Sequence, residues 1–126
     1  MQKIFMMASL FMMSAYSQTT DEFYNILALD GGGIRGLISS TVVLMIEEFS
    51  YKYAKSKGYE VPSYPGREGE GIISMKDMFD MTAGTSTGSI ISAGLVYPSD
   101  KYKGVPKFFA KDIINIYSTR GGEIFS

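Results

Sequence analysis

Apolar residues gather into short runs that predict a mixture of strands and helices. Continuous apolar runs at residues 23–29 and 78–83 are typical of buried strands in a parallel sheet. Apolar residues with helical spacing predict a helix over residues 37–53, and a compact apolar run predicts another over residues 90–95. Pro106 suits the first turn of a third helix, whose apolar positions favour core packing. Those positions are Ala110, Ile113, Ile114 and Tyr117.

The helix predicted over residues 37–53 is amphipathic. Large apolar side chains recur on one face, a pattern typical of a helix with one packed side. They belong to Ile38, Val42, Met45, Phe49 and Tyr53. Four charged residues fall largely off this face: Glu47, Glu48, Lys52 and Lys55. Glu48 and Lys52 are spaced as a favourable ion pair.

A serine stands between the second predicted strand and the helix after it. Residues 84–88 read Gly-Thr-Ser-Thr-Gly, and in a G-x-S-x-G turn the serine hydroxyl projects from a sharp bend above the sheet. Gly84 and Gly88 suit this turn because strand and helix approach closely and a Cβ would clash. The N–H groups at the start of the helix favour negative charge there. Ser86 is therefore a candidate nucleophile, although an isolated match of this pattern is weak evidence.

A glycine-rich loop, Asp-Gly-Gly-Gly-Ile-Arg-Gly at residues 30–36, joins the first predicted strand to the first helix. Its spacing G-x-G-x-x-G is that of dinucleotide-binding loops, but those also require a strand soon after the helix, ending in an acidic residue. Residues 58–66 are instead rich in turn-forming residues. The alternative is an oxyanion hole, in which glycine N–H groups bind the charge of an acyl-transfer intermediate and Ser86 is the nucleophile.

Together, residues 30–36 and 84–88 resemble the paired motifs of the patatin-like phospholipases, and the resemblance extends over about residues 23–125. It implies an α/β fold, a three-layer sandwich with a mainly parallel central sheet. It also implies hydrolysis of lipid carboxylic esters by a Ser–Asp dyad, with Ser86 as the nucleophile. The residues that would form or orient the oxyanion hole are Gly31, Gly32, Gly33 and Arg35.

The chain departs from this family in its general base. The family's Asp lies in an Asp-Gly-Gly or Asp-Gly-Ala motif well downstream of the nucleophile. After Ser86 the chain has only Asp100 and Asp112, and neither precedes Gly. We interpret Asp100 as a turn residue and Asp112 as a solvated position on the last helix. The chain has no His, which excludes a Ser–His–Asp triad. A smaller departure is Ser89, where the family often has Gly.

Two strands cannot form a covered parallel sheet, because both faces of such a sheet must be buried. We therefore expect residues 18–126 to be the N-terminal part of a patatin-like domain, truncated to its first strands and helices. Three functional hypotheses follow. The first is a lipid acyl hydrolase whose partner Asp is missing from this chain, and the second is an inactive or lipid-binding remnant. A dinucleotide-binding domain is the minor alternative.

Residues 1–17 have the pattern of a secretory signal peptide. Lys3 precedes an apolar run at residues 4–13, and Ala15 and Ser17 are small residues at the positions that a signal peptidase reads. The run is shorter than the roughly 20 residues that a membrane-spanning helix needs. We expect entry into the secretory pathway, followed by secretion or delivery to a lysosome- or vacuole-like compartment. A buried N-terminal helix is the alternative.

Charge and composition narrow the expected partners. A net charge of −1 without a basic run argues against nucleic acid and against electrostatic recruitment to an anionic membrane. A lipid ester, free or at a membrane surface, would then be met through apolar surface. Without His, Cys or an acidic cluster of calcium-loop spacing, the sequence predicts no metal and no cofactor. Residues 58–76 are typical of a solvated loop, with a lid over the site as the alternative.

Overall fold

Two short parallel strands and four helices make up residues 23–124, the part of the chain that the computed structural model describes. The predicted signal peptide at residues 1–17 lies outside these residues. Within the described range, no helix combines the length and the apolar composition needed to cross a bilayer. The strands are β1 (Ile26–Leu29) and β2 (Met81–Gly84), and a short 3₁₀ turn spans Gly33–Arg35. The helices are α1 (Gly36–Ser56), α2 (Met75–Met78), α3 (Thr87–Val96) and α4 (Ala110–Ile124).

The sheet places the two sequence motifs at the same edge. β1 and β2 pair in parallel, with Ile26 opposite Met81 and Leu29 opposite Gly84. Parallel strands end on the same side, so the glycine loop after β1 and the serine turn after β2 meet there. The α/β class predicted from the sequence is confirmed, since a parallel strand pair is joined through α1 and packed against helices.

The end of α1 follows from its sequence. Gly58 has a φ of 71°, a left-handed conformation that glycine adopts without a Cβ clash. This lets the Gly58 N–H donate to the Lys55 carbonyl at 3.1 Å and the Tyr59 N–H donate to the Ala54 carbonyl at 2.9 Å. These two bonds are those of a Schellman cap, which satisfies carbonyl groups that the helix itself leaves open.

A small apolar core lies between α1, α3 and α4. Its buried members come from all three helices and from α2, and β1 contributes partly buried leucines. Burying such side chains stabilises the fold by about 1.5–3 kcal/mol each relative to leaving them exposed. The buried members are Val43, Met75, Ile91, Leu95, Ala110, Ile113 and Tyr117.

The spacing of apolar residues predicted that one face of α1 is packed. In the described residues this face is exposed, and the prediction is therefore wrong. Its five side chains are 50–69% exposed. α1 instead turns its opposite side, which includes Ser40 and Val43, toward the core. Gly36 shows the reason, since a Cβ there would collide with the side chains of Thr87 and Tyr117. The small residues on this side allow α1 to approach α3 and α4 closely.

Glu47 is fully buried on this inner side of α1. Its carboxylate Oε2 accepts a hydrogen bond from the Ala110 N–H at 3.2 Å, at the N-terminus of α4, where the helix dipole favours negative charge. Its carbonyl accepts from the Ile73 N–H at 3.1 Å. Desolvation by burial raises the pKa of Glu47 to about 7, against the opposing effect of the Ala110 bond. Through its side chain and its backbone carbonyl, Glu47 therefore links α1, α4 and the segment before α2.

The segment between α1 and α2 is a packed loop, so the prediction of a solvated loop is wrong at several positions. Tyr64 and Ile72 are buried, and the Tyr64 ring meets Phe109 edge to face at 5.1 Å between centroids. The Tyr64 hydroxyl accepts from the Ser74 N–H at 2.8 Å and donates to the Asp77 carboxylate. Burial raises the pKa of Tyr64.

Two element boundaries differ from the sequence prediction. Met78 ends helix α2 instead of starting a strand, because Ser74 caps that helix by accepting the Lys76 N–H at 3.2 Å. The last helix starts at Ala110 instead of Pro106. Pro106 lies in an isolated antiparallel bridge with Pro98, and the next residue, Lys107, donates its N–H to the Tyr97 carbonyl at 2.7 Å.

Burial of Glu47 predicts that the protein loses stability as the pH rises. The folded protein holds the proton with a pKa of about 7, against 4.5 for the ordinary group. The stabilisation is therefore complete below about pH 4.5 and is lost as the pH rises through 7, by roughly 3 kcal/mol in all. Urea unfolding of wild type and Glu47→Gln at pH 5 and pH 8 measures this loss, and we expect Glu47→Gln to be much less sensitive to pH.

Glu48→Gln is the matched control, because Glu48 is the next residue and is only partly buried. It should keep the pH dependence of the wild type. The decisive quantity is the difference in unfolding free energy between the wild type and Glu47→Gln. If this difference were the same at pH 5 and pH 8, it would contradict a buried, protonated Glu47.

The exposed apolar face of α1 predicts that the isolated 126-residue chain associates with itself and is poorly soluble, since large exposed apolar patches promote association. Among the described residues β1 and β2 pair only with each other, and their outer edges act in the same direction. We expect Met45→Glu combined with Phe49→Glu to reduce association, measured by sedimentation velocity. Lys55→Glu is the control, because the double variant and Lys55→Glu each change the net charge by −2, and only the double variant alters the apolar face. Equal association of both variants would show that charge alone is responsible.

Candidate active site

Ser86 occupies a strained turn between β2 and α3. Its φ of 50° and ψ of −122° lie outside the regions that ordinary residues favour. Among residues 23–124 it is the only residue other than glycine with a positive φ. Strain of this kind persists where the surroundings enforce it, and it is frequent at active sites. The side chain is exposed at the edge where the strands end.

Two glycines beside Ser86 let backbone segments approach each other closely. A Cβ on Gly84 would collide with the Gly88 carbonyl, and a Cβ on Gly88 would collide with the Leu29 carbonyl at the end of β1. Both collisions involve backbone, which cannot rotate away as a side chain can. These contacts hold β1, β2 and α3 together and give the turn its sharpness.

The glycine loop packs directly against the serine turn. A Cβ on Gly31 would lie 2.5 Å from the Thr85 carbonyl oxygen and 2.7 Å from the Ser86 Cβ, closer than real Cβ contacts come. The Gly31 N–H donates to the Thr85 hydroxyl oxygen at 3.1 Å. The structure therefore brings Gly31 and Ser86 together, although 54 residues separate Gly31 from Thr85 in sequence.

Two N–H groups of the loop remain available. Gly32 has a φ of 154° and Gly33 a φ of 60°, and within the described residues neither N–H donates a hydrogen bond. Arg35 braces the loop, because its N–H donates to the Gly32 carbonyl at 3.2 Å and its Nε donates to the same oxygen at 3.4 Å. The Gly31 N–H is occupied by Thr85, so Gly32 and Gly33 are the donors that could receive an anion.

The start of α3 leaves one further N–H near Ser86. The Gly88 N–H donates back to the Thr85 carbonyl at 2.8 Å, and the Ser89 N–H donates to the Ser86 carbonyl at 2.9 Å. The Ser89 hydroxyl donates to that same carbonyl. In the part of the chain that is described, the Thr87 N–H has no acceptor. The residue after the serine commonly supplies an oxyanion-hole N–H in turns of this type.

The two downstream aspartates are engaged elsewhere. Asp100 accepts a hydrogen bond from Lys107 Nζ at 2.6 Å, in the turn where the sequence placed it. Asp112 was expected to be solvated, which is wrong: its carboxylate pairs with Arg67 and accepts the Phe109 N–H at 2.8 Å, capping α4. Neither carboxylate is hydrogen bonded to Ser86 within residues 23–124.

Sequence reasoning missed Glu47 because a charged residue off the apolar stripe indicates solvent exposure, and no local signal marks it as buried. Its carboxyl group has a pKa near neutrality, a property often found in catalytic acids and bases. Its hydrogen-bond partner is the Ala110 N–H at the start of α4 rather than Ser86. The geometry therefore makes Glu47 a structural group.

Two cavities among the described residues lie away from the serine turn. One of about 220 Å³ is bordered by Tyr51 and residues 61–72, and another of about 610 Å³ lies between residues 62–65 and the turn at residues 101–105. Ser86 lines neither cavity. The serine instead lies on open surface, beside the glycine loop.

The dinucleotide interpretation of the glycine loop finds no support in the geometry. After α1 the described chain continues into the packed loop, and the next strand is β2, far beyond the position that interpretation requires. The Gly31 N–H is also occupied by the Thr85 hydroxyl at 3.1 Å, so it is not free to bind a pyrophosphate.

Known proteins are similar to this chain over most of its length. Patatin-like protein 1 of Arabidopsis thaliana is 35% identical over 100 residues, which is 79% of this chain and 20% of that protein. Patatin-like protein 1 of Oryza sativa subsp. indica is 39% identical over the same shares, and patatin of Solanum tuberosum is 28% identical over 113 residues, 90% of this chain and 25% of that protein. No family profile and no solved structure gives a significant match.

The chain spans about a fifth to a quarter of the length of these curated relatives. The similarity nevertheless covers about four fifths of this chain or more, and it extends to relatives from three plants. Over this segment, the chain belongs to the patatin-like family.

Proposed function

We propose that this chain carries the nucleophile and the oxyanion hole of a lipid acyl hydrolase. The observation that carries the proposal is the contact between the strained serine turn and the glycine loop. Gly31 packs on Ser86, and the free N–H groups of Gly32 and Gly33 lie in the same loop. A nucleophile beside convergent backbone donors is the arrangement that acyl transfer requires. Membership of the patatin-like family points to the same chemistry.

In the proposed reaction, Ser86 Oγ attacks the carbonyl carbon of an ester and its proton passes to a general base. The carbonyl oxygen becomes an anion held by the N–H groups of Gly32, Gly33 and Thr87. Collapse of this intermediate expels the alcohol, which takes up the proton from the base, and leaves an acyl-serine. Water, activated by the same base, then releases the carboxylic acid. Arg35 keeps the loop in place through the Gly32 carbonyl.

The general base is proposed to be a carboxylate from residues that this sequence does not include. Asp100 and Asp112 are tied to Lys107 and Arg67, and a carboxylate is proposed because the resemblance to the patatin-like family implies a Ser–Asp dyad. The dyad would therefore be completed by polypeptide beyond the described segment, which is in keeping with relatives of which the matching segment covers only a fifth to a quarter.

Lipid esters are the proposed substrates. Large apolar side chains stand exposed in both motif-bearing segments, with Ile34 49% exposed in the glycine loop and Ile90 57% exposed one helical turn after Ser86. Apolar surface beside a nucleophile favours an acyl chain over a charged substrate. The net charge of −1 gives no electrostatic attraction to an anionic membrane surface.

A non-catalytic, lipid-binding role is the second candidate. It is favoured by the engagement of both downstream aspartates in ion pairs, and no carboxylate of the described residues is hydrogen bonded to Ser86. The two candidates differ in whether Ser86 forms a covalent intermediate.

In the full-length protein we expect Ser86 to react covalently with a fluorophosphonate ester probe. Ser86→Ala should abolish labelling, because loss of a nucleophile typically reduces rates by several orders of magnitude. Intact-mass spectrometry after probe treatment measures the adduct. Ser118→Ala is the control, since Ser118 is exposed on α4 and bonds only to carbonyls of its own helix, and it should be labelled like the wild type. Labelling that persists in Ser86→Ala would assign the nucleophile to another residue.

The 126-residue chain alone should hydrolyse no ester above the background of its Ser86→Ala variant. Without a base the Ser86 hydroxyl stays protonated and is a poor nucleophile at neutral pH. Release of p-nitrophenol from p-nitrophenyl esters of medium chain length measures this. Turnover that is lost in Ser86→Ala would overturn the expectation, and Asp100→Asn and Asp112→Asn would then identify the base.

A further inference from the structure

Thr85, the residue before the candidate nucleophile, has three hydrogen bonds that all lead to neighbouring backbone. Its N–H donates to the Leu29 carbonyl at 3.2 Å, and its carbonyl accepts from the Gly88 N–H at 2.8 Å. Its hydroxyl oxygen accepts from the Gly31 N–H at 3.1 Å. One residue thus joins the end of β1, the glycine loop and the first turn of α3.

The parallel ladder shows why the hydroxyl is needed. In a parallel pair with the Thr85 N–H bonded to Leu29, the next bond would run from the Gly31 N–H to the Thr85 carbonyl. That carbonyl instead accepts the Gly88 N–H at 2.8 Å, across the sharp bend at Ser86. The hydroxyl takes its place as acceptor, so the ladder continues for one more step through a side chain.

The hydrogen bond to the hydroxyl, in place of the carbonyl, fixes the orientation of the glycine loop. With the Gly31 N–H held by Thr85, the following peptides, at Gly32 and Gly33, adopt left-handed or related conformations and keep their N–H groups free. Without the hydroxyl, the Gly31 N–H would have to find water or compete for the anion, and glycine peptides have little rotational preference of their own.

We propose that Thr85 is a positioning residue, whose hydroxyl sets the glycine loop for oxyanion binding by holding the Gly31 N–H. The inference rests on the proposed acyl-hydrolase function. Thr85 contacts no reacting atom, and it acts through Gly31 on the donors at Gly32 and Gly33. A β-branched side chain suits this role because its χ1 angle is restricted and the hydroxyl is held in place.

The experiment compares Thr85→Val and Thr85→Ser in the full-length protein. Valine keeps the shape and removes the acceptor, whereas serine keeps the acceptor. Thr82→Val is the matched control, because its hydroxyl on β2 donates to the Ser92 carbonyl at 3.3 Å, away from the loop. The readouts are kcat and KM for a medium-chain p-nitrophenyl ester, the rate of Ser86 labelling by a fluorophosphonate, and amide exchange of Gly31 by NMR of protein labelled with ¹⁵N-glycine.

Thr85→Val should lower kcat and the labelling rate by about 10- to 100-fold, since misplaced catalytic groups cost up to about 100-fold. KM should change little, because oxyanion contacts strengthen in the transition state. Gly31 amide exchange should become faster. Thr85→Ser should keep kcat, the labelling rate and Gly31 amide exchange close to those of the wild type. Thr82→Val should resemble the wild type in the same three readouts, even where it lowers thermal stability.

Wild-type rates in Thr85→Val would overturn the inference, as would equal losses in Thr82→Val and Thr85→Val. A wild-type protein that is neither labelled nor active would refute the proposed function, and the positioning role would fall with it. In that case Gly31 amide exchange would still report whether the hydrogen bond forms. The two failures are therefore distinguishable.

Discussion

Close backbone approach where β1 and β2 end is the constraint on which the rest of the structure depends. Gly84 lies against Gly88, and Gly88 lies against the Leu29 carbonyl, at distances that exclude any side chain. These contacts force the chain to reverse within the serine turn, which holds Ser86 at a positive φ. The same reversal turns the Thr85 carbonyl out of the ladder, so that the Gly31 N–H bonds to the hydroxyl instead.

A second constraint is the side on which α1 packs. The side of α1 that includes Gly36, Ser40 and Val43 faces α3 and α4, while the apolar face from Ile38 to Tyr53 remains exposed. Glu47 is buried in this interface and caps α4, at the cost of a pKa raised to about 7. The helix that follows the glycine loop is therefore fixed by a polar contact as well as by apolar packing. A buried carboxyl group of this kind couples the packing of the helices to pH.

The geometry separates the parts of the proposed chemistry. The proposed anion-binding loop and the proposed nucleophile turn are built by residues 29–36 and 84–89, which contact each other directly. The acidic groups farther along the chain serve the fold, since Asp112 caps α4 and pairs with Arg67, and Asp100 pairs with Lys107. An oxyanion hole and a nucleophile without a base can still polarise a carbonyl group, but the base determines whether the serine attacks it.

The sequence by itself determined the α/β class, the strand–loop–helix and strand–turn–helix contexts of the two motifs, and most of the buried face of α4. These features are local, because they depend on apolar spacing, on glycines at sharp turns and on caps within a few residues. Only the tertiary structure decided that the large apolar face of α1 is exposed, that Glu47 is buried, and that Asp112 is paired. It also decided that the Thr85 hydroxyl accepts the hydrogen bond from the Gly31 N–H. Each of these depends on contacts between residues far apart in sequence, where close approach between backbones outweighs the hydrophobic pattern of a single helix.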